Sequence, residues 1–164
     1  MKRIRIGQIG IGHNHGSEKM RTALNFPDVF EVVGICETDP AWMKSRGYLD
    51  VYRELPFMFE EELLNIPGLD AVIVETDVWN LIPAAQRCVD RGLHVHIDKP
   101  AGENLAEFEK LLADAKRKNL VVQLAYMYRY NNAVRYARGD ICCAPSRRTA
   151  SRDQASTMPS ACSR

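Results

Sequence analysis

One segment near the start of the chain restricts the possible folds more than any other. The apolar residues that alternate through segment 4–9 are typical of a strand, which ends at a glycine-rich turn at residues 10–16. A helical stretch follows, and the apolar run at residues 32–36 then leads to Glu37. A strand, a glycine turn, a helix and a second strand make up the βαβ unit from which parallel sheets are built.

The residue types in the turn suit a dinucleotide. A pyrophosphate needs backbone N–H groups at close range, so Gly10 would make the tight turn and Gly12 would leave the approach free of a side chain. The helix start beyond them, at His13, Asn14 and His15, would offer unpaired N–H groups and a partial positive charge. We therefore expect these five residues to contact the cofactor. A tight strand-to-helix turn without a ligand is the alternative interpretation.

Glu37 predicts which dinucleotide is bound. It lies about 20 residues beyond the glycines, where a carboxylate can accept hydrogen bonds from both hydroxyls of an adenosine ribose. The same carboxylate would repel the 2′-phosphate of NADP, so we expect NAD, although Lys44 and Arg46 could soften the preference. The spacing departs from the usual G-x-G-x-x-G pattern, because Gly16 falls one place late and His15 occupies its slot.

The rest of the chain alternates helices and apolar strands. The predicted elements are a helix at 40–46, a weak strand at 57–58, a helix at 60–65, strands at 71–74, 94–97 and 120–124, a helix at 82–91, and a long helix capped by Asn104. Apolar strands that alternate with helices predict a parallel sheet covered on both faces. We therefore expect a doubly wound α/β fold of the Rossmann type over residues 1–138, with ligands at the carboxyl ends of its strands.

The last part of the chain has a different composition. From about residue 139 the apolar periodicity stops, and neither lysine nor an aromatic residue occurs up to Arg164. Nothing in this segment can bury a core, so residues 139–164 are predicted to form a non-globular tail. Two interpretations stay open, namely a disordered terminus and a coding sequence shifted out of frame near Ile141.

Composition also excludes several classes of partner. The net charge of +1 and the lack of a basic stripe with interleaved aromatic residues argue against nucleic acid. No apolar stretch reaches the roughly 20 residues that span a bilayer, and the charged start, residues 1–5, does not resemble a signal peptide. We therefore expect a cytoplasmic protein. The five cysteines are odd in number and lack C-x-x-C spacing, so neither a disulfide framework nor a cysteine zinc site is predicted.

Lys99 is the candidate catalytic residue. It follows the predicted strand at 94–97 and precedes Pro100, which forces the chain out of the strand and favours an extended conformation at Lys99. This conformation would direct the ammonium group into the ligand crevice. Oxidation of an alcohol places charge on oxygen as hydride leaves, and a nearby ammonium stabilises that charge and can relay the proton. The alternative is a surface lysine after a strand.

Two runs of sequence resemble a known family. Residues 92–100 are similar to the glycine, basic residue, His-Val, then Glu-Lys-Pro signature of the glucose-fructose oxidoreductase and inositol dehydrogenase family, Gfo/Idh/MocA. Residues 126–131 resemble its aromatic-x-x-Arg-aromatic-Asn segment, and the resemblance covers roughly residues 3–138. It implies a two-domain NAD(P)-dependent oxidoreductase acting on sugars, cyclitols or related polyols. Lys99 would then lie beside the nicotinamide, and Asp98 and Arg129 would join the cofactor site.

Two departures from the family pattern affect the predicted site. Asp98 replaces the usual glutamate, which keeps the carboxylate but shortens its reach. After the strand at 71–74, Leu81 stands where the family has a histidine. Thr76, Trp79 and Asn80 remain candidates for the cofactor site because they follow the carboxyl end of a strand. Packing at the start of a helix is the alternative for Trp79.

The four histidines form two His-x-His pairs, His13/His15 and His94/His96. A catalytic zinc needs three ligands around an open position, and no sequence feature brings the pairs together. We therefore expect no metal site.

The function predicted from the sequence is hydride transfer between NAD and a polyol. A non-catalytic dinucleotide sensor and a dehydrogenase of another Rossmann family are the alternatives. The resemblance implies a second α+β domain that supplies much of the substrate pocket, and we expect no such domain within these 164 residues. We expect this chain to bind dinucleotide weakly without oxidising polyols, and homo-oligomerisation stays open.

Overall fold

The computed structural model of the chain describes residues 2–138. The predicted non-globular tail at 139–164 lies outside these residues. The strands are β1 (Ile4–Ile9), β2 (Phe30–Cys36), β3 (Ala71–Val74), β4 (His94–Ile97) and β5 (Val122–Leu124). The helices are α1 (Asn14–Asn25), α2 (Pro40–Arg46), α3 (Glu60–Leu64), α4 (Val78–Asp90), α5 (Leu105–Arg117) and α6 (Asn132–Ala137), with a 3-10 turn at Met127–Tyr130 before α6.

The strands form one sheet in which all pairs are parallel. Its order is β2-β1-β3-β4-β5, so the chain runs outward from β1 to β2 and then crosses back to β3 on the other side. This confirms the predicted Rossmann-type architecture. The strand order reverses between β1 and β3, where Ile9 pairs with Val74, and ligands of such sheets bind beyond the carboxyl ends at this point.

The two faces of the sheet differ in polarity. On the face covered by α4 and α5, called here the α4 face, the strand side chains are apolar and buried; they include Val72, Val74, Val95 and Ile97. On the opposite face, called here the α1 face, Ile6 and Ile73 pack with Ala23 of α1. Toward the carboxyl ends this second face becomes polar, with Gln8, Glu75 and Asp98 buried there.

Most predicted elements agree with the structure, and the differences have local causes. Helix α4 begins at Val78, four residues before the predicted start, and holds Pro83 inside it. Proline is tolerated at this place because the carbonyl it leaves unbonded is that of Trp79, in the exposed first turn. Phe57 forms only a single bridge to Ile35 instead of a strand. Asn104 caps α5 as predicted, since its side chain accepts hydrogen bonds from two backbone N–H groups.

The chain divides into two compact units, one from Met1 to Ala125 and one that begins at Tyr126. The predicted domain of residues 1–138 therefore contains residues of both. Within the described part of the second unit, the side chain of Asn131 caps α6 by accepting from the N–H groups of Ala133 and Val134. Across residues 2–138, no helix combines the length and apolar character needed to cross a bilayer.

Candidate functional site

A crevice of about 450 Å³ lies beyond the carboxyl ends of β1, β3 and β4. Nine of the predicted site residues line it: Gly10, Gly12, His13, Glu37, Thr76, Trp79, Asn80, Asp98 and Lys99. Two others, Asn14 and His15, are not among its lining residues, and Arg129 belongs to the second unit. The structure thus brings together residues from four separate stretches of the first unit.

Both glycines of the turn are required by their surroundings. Gly10 has a φ of +89°, and a Cβ added there would lie 2.6 Å from the backbone carbonyl of Glu75. A Cβ on Gly12 would lie 2.7 Å from the indole of Trp42, which reaches across from α2. The turn is therefore held close to β3 on one side and to α2 on the other.

The late third glycine has a packing role. Gly16 is buried in α1, where a Cβ would lie 3.1 Å from Nε2 of Gln8 and 3.4 Å from the side chain of Glu75. This lets α1 lie close against the sheet. His15, in the slot that glycine usually takes, instead places its Nδ1 3.2 Å from the Asp98 carboxylate. The altered spacing thus joins the start of α1 to the end of β4.

The first residues of α1 have identifiable partners. The helix begins at Asn14, and His13 caps it because its Nδ1 accepts a hydrogen bond from the backbone N–H of His15. The Asn14 side chain turns toward α2, where its Oδ1 accepts from Arg46 at 2.7 Å. The first turn of α1 carries no acidic residue of its own, and the carboxylate of Asp98, at the end of β4, lies beside it.

Glu37 is held in place at the edge of the crevice. One of its oxygens accepts from the backbone N–H of Ile11 and the other from that of Asp39, both at 2.8 Å. A carboxylate offers about four lone-pair sites, so each oxygen retains capacity for a further donor. The position and remaining acceptors of Glu37 fit the two hydroxyls of an adenosine ribose.

A buried ionic cluster lies beside the crevice, and the sequence analysis did not identify it. The Lys19 ammonium donates to the carboxylates of both Glu75 and Asp98, the latter at 3.0 Å. The Glu75 side chain is fully buried. Its second oxygen and Oε1 of Gln8 have no hydrogen-bond partner among the described residues. The available signal was an acidic residue directly after the apolar strand β3, on the side facing α1.

The cluster separates the proton affinities of its two carboxylates. Burial raises the pKa of Glu75 to about 7, against the opposing effect of the Lys19 ammonium. Burial also acts to raise the pKa of Asp98, but the hydrogen bonds from Lys19 and His15 hold it below its usual value. Asp98 is therefore ionised at neutral pH, whereas Glu75 is partly protonated and partly ionised at that pH.

The loop after β3 presents polar and aromatic groups. Trp79 is the second residue of α4 and is 70% exposed while lining the crevice, which differs from the packing alternative. Leu81, in the place of the family's histidine, is buried among apolar side chains. Of the other histidine pair, His94 uses its Nδ1 to accept from the backbone N–H of Val121.

Comparison with known proteins decides the family. Residues 4–126 match the model of the GFO_IDH_MocA family, described as "Oxidoreductase family, NAD-binding Rossmann fold". The chain belongs to this oxidoreductase family. The Gfo/Idh/MocA resemblance inferred from residues 92–100 is thereby confirmed.

Individual proteins show the extent of the similarity. The oxidoreductase YceM of Salmonella typhimurium is 29% identical over 92 residues, which are 55% of this chain and 30% of YceM. A mutant form of KijD10, a 3-ketoreductase from Actinomadura kijaniata, has a TM-score of 0.71 at 22% identity over 85% of this chain and 43% of its own. Scyllo-inositol dehydrogenase from Lactobacillus casei has a TM-score of 0.70 at 20% identity, over 84% and 40% respectively. The chain therefore spans less than half the length of these relatives.

Proposed function

We propose that this chain binds NAD for an oxidoreductase that transfers hydride between the nicotinamide and a sugar, cyclitol or related polyol. The observation that supports the proposal is the position of Lys99. It lines the same crevice as the glycine turn and Glu37, which are the groups that fit a dinucleotide. A protein that only holds a dinucleotide has no need of an ammonium group at this end of the crevice.

Lys99 would act on the oxygen of the alcohol. As the carbon gives up hydride, charge develops on that oxygen, and the ammonium stabilises the charge and passes a proton to or from it. Asp98, the preceding residue, is fixed by Lys19 and His15 through hydrogen bonds. Because Asp98 is anchored to α1, the backbone from which Lys99 extends is held at the end of β4.

The substrate class comes from the relatives. KijD10 was solved with TDP-benzene and NADP, whereas scyllo-inositol dehydrogenase was solved with NAD(H) and scyllo-inositol. A polyol or sugar with a secondary alcohol is therefore the proposed substrate of this chain. These two structures hold different cofactors, so the choice of NAD rests on Glu37.

Cofactor titration tests the role of Glu37. We expect NAD to bind more tightly than NADP, because the carboxylate accepts from the ribose hydroxyls and repels a 2′-phosphate. Glu37→Ala should weaken NAD by about 1–3 kcal/mol, the value of lost charge-assisted hydrogen bonds. Glu31→Ala is the matched control, since Glu31 lies on β2, the strand that Glu37 follows, but pairs with Arg3 and Arg5. Calorimetry that shows equal or tighter NADP binding by the unmodified chain would refute the assignment.

A second experiment tests Lys99. Lys99→Ala should leave NAD affinity nearly unchanged, because the ammonium acts mainly in the transition state. In a version of the chain joined to a family substrate domain, the same change should remove most turnover. Lys99→Arg should restore little, since a guanidinium does not release its proton. Near-normal turnover of the alanine variant would exclude Lys99 from the mechanism.

The chain alone provides a further test. We expect no oxidation of sugars or inositols by the 164 residues, because catalysis needs a substrate held against the nicotinamide and shielded from water. The assay follows NADH absorbance over a panel of such substrates. Turnover of roughly 1 per second or faster would show that these residues alone hold the substrate.

A further inference from the structure

Three groups capable of binding a metal meet where α1 begins and β4 ends. His13 and His15 stand at the start of the helix, and Asp98 follows the strand. One ligand atom from each lies within 4.8 Å of the others. Asp98 is 83 residues away from His15 in the chain, so only the folded structure shows the three together.

From this geometry we infer that His13, His15 and Asp98 form a site for one divalent transition-metal ion at the edge of the crevice. The inference does not depend on the proposed oxidoreductase function, although the site shares the crevice with it and uses Asp98, which precedes Lys99. The sequence analysis expected no metal because it found histidine pairs without a third ligand. Asp98 provides that ligand.

Two distances within the cluster are close to those around a tetrahedral ion. Oδ2 of Asp98 lies 3.7 Å from Nδ1 of His13 and 3.3 Å from Nδ1 of His15. With metal–ligand bonds of about 2.0–2.2 Å, ligand atoms around tetrahedral zinc are roughly 3.4 Å apart. Small side-chain movements would therefore let Oδ2 share an ion with either imidazole, and ligand atoms of the three residues already lie within 4.8 Å of one another.

The hydrogen bond from Lys19 also orients the carboxylate of Asp98. Lys19 donates to Oδ1 of Asp98, and an ion on Oδ2 would replace the contact of that oxygen with Nδ1 of His15 at 3.3 Å. A ligand carboxylate that is fixed by a second hydrogen bond is the usual arrangement in metal sites. An ion would replace the hydrogen bond that Nδ1 of His13 accepts from the N–H of His15.

The ligand set indicates the class of ion. Two imidazoles and one carboxylate, with no thiolate, suit Zn²⁺ and the neighbouring ions Co²⁺ and Ni²⁺ rather than Mg²⁺ or Ca²⁺. Three protein ligands leave a fourth position open, as in zinc sites that bind water or a substrate oxygen. Because His13 and Asp98 line the crevice, we expect the open position to face it.

Metal titration of the purified 164-residue chain tests the inference. The chain is stripped with a chelator, and Cys142, Cys143 and Cys162 are replaced by serine so that tail thiols cannot bind the ion. Zn²⁺ binding is then followed by calorimetry, and Co²⁺ binding by its visible absorption. We expect one ion per chain, with the absorption of a four-coordinate nitrogen and oxygen site.

The variants separate this site from other histidines. His13→Gln and His15→Gln should each weaken Zn²⁺ at least about 10-fold, whereas His94→Gln, in the other pair, should leave affinity unchanged. The His13 side chain is 50% exposed, so His13→Gln tests the site even if Asp98→Asn fails to fold. Circular dichroism confirms the fold of each variant. Absence of saturable binding, or binding that survives both His13→Gln and His15→Gln, would overturn the inference.

Discussion

The two faces of the sheet use the same strands for different purposes. Along β3, Val72 and Val74 face the α4 side and are buried among apolar groups, whereas Ile73 and Glu75 face the α1 side. The α4 face is apolar along its whole length. The α1 face is apolar only at its amino half and carries a buried ionic cluster at the end near the crevice. One face thus provides the core, and the other prepares the site.

This difference indicates which part of the sheet contributes less to the stability of the fold. Removing Lys19, Glu75 and Asp98 from water costs free energy that their mutual attraction rarely recovers in full, and an apolar set of similar volume is often as stable. The cluster lies directly beside the predicted functional residues. Two of its members, Glu75 and Asp98, line the crevice itself, so the cluster places charge there at a cost in desolvation.

The first prediction measures the contribution of the α4 face and carries the largest expected effect. Leu111 of α5 is fully buried in its apolar cluster, and Leu111→Ala should lower the free energy of unfolding by about 3–4 kcal/mol through lost burial and a residual cavity. The neighbouring Leu112 is 40% exposed, so Leu112→Ala should cost less than about 1 kcal/mol. Urea unfolding measures both. Equal losses would show that this face is not the dominant core.

The second prediction concerns pH and the α1 face. Between about pH 4.5 and 7, the folded chain keeps a proton on Glu75 that the unfolded chain has released, so this residue lowers the free energy of unfolding as the pH rises. The difference between about 7 and the ordinary 4.5 corresponds to about 3 kcal/mol, at about 1.4 kcal/mol per pH unit. Glu75→Gln removes this loss. The variant should therefore gain about 3 kcal/mol relative to the unmodified chain between about pH 4.5 and 8.

The free energies of unfolding of the unmodified chain and of Glu75→Gln must be compared at each pH, because other groups titrate in the same pH range. Burial lowers the pKa of His13 and of His96, which makes the folded state more stable as the pH rises. Lys19, Asp98 and Lys99 also act on Glu75. Taking the difference between chains largely removes these contributions. Glu61→Gln, at an exposed position of α3, is the control and should follow the unmodified profile; parallel profiles for Glu75→Gln would contradict the assigned pKa.

The third prediction removes the cation of the cluster and has the smallest expected effect. Lys19→Met keeps the apolar stem but leaves two carboxylates without their shared ammonium, which usually costs several kcal/mol when burial is complete. Glu75 can stay protonated near neutral pH, so we expect a loss of about 2 kcal/mol at pH 7. Arg21→Met, at a 57% exposed side chain of the same helix, should change stability by no more than about 0.5 kcal/mol. Indistinguishable urea midpoints for the two variants would mean that the cluster does not stabilise the α1 face.

Much of the fold could be predicted because the strands are short apolar runs between clear turn signals. The bounds of β3, β4 and α2 agree with the predicted 71–74, 94–97 and 40–46. The start of α4 was predicted four residues late, at 82, because its first residues, Val78, Trp79 and Asn80, are not buried and give no apolar periodicity. Periodicity thus found the buried part of α4 but not its exposed first turn.

The candidate site could be predicted only as far as topology determines it. Residues that follow parallel strands reach one edge of the sheet, which is why Gly10, Glu37 and Lys99 line the same crevice. The bond from Lys19 to Asp98 joins residues 79 apart in the chain. The hydrophobic periodicity of a sequence cannot predict such a contact, because the contact depends on how closely α1 approaches the sheet at Gly16.

The crevice also contains every tryptophan in the sequence. Trp42 lies against Gly12 and Trp79 stands at the start of α4, and the chain has no other. Indole emission from this protein therefore originates entirely at the crevice, with no background from the core. Reduced nicotinamide absorbs the light that indole emits, so a bound reduced cofactor would quench the native signal by energy transfer. Trp42→Phe and Trp79→Phe would each leave one emitter, so the chain carries optical reporters on two separate walls of the same cleft.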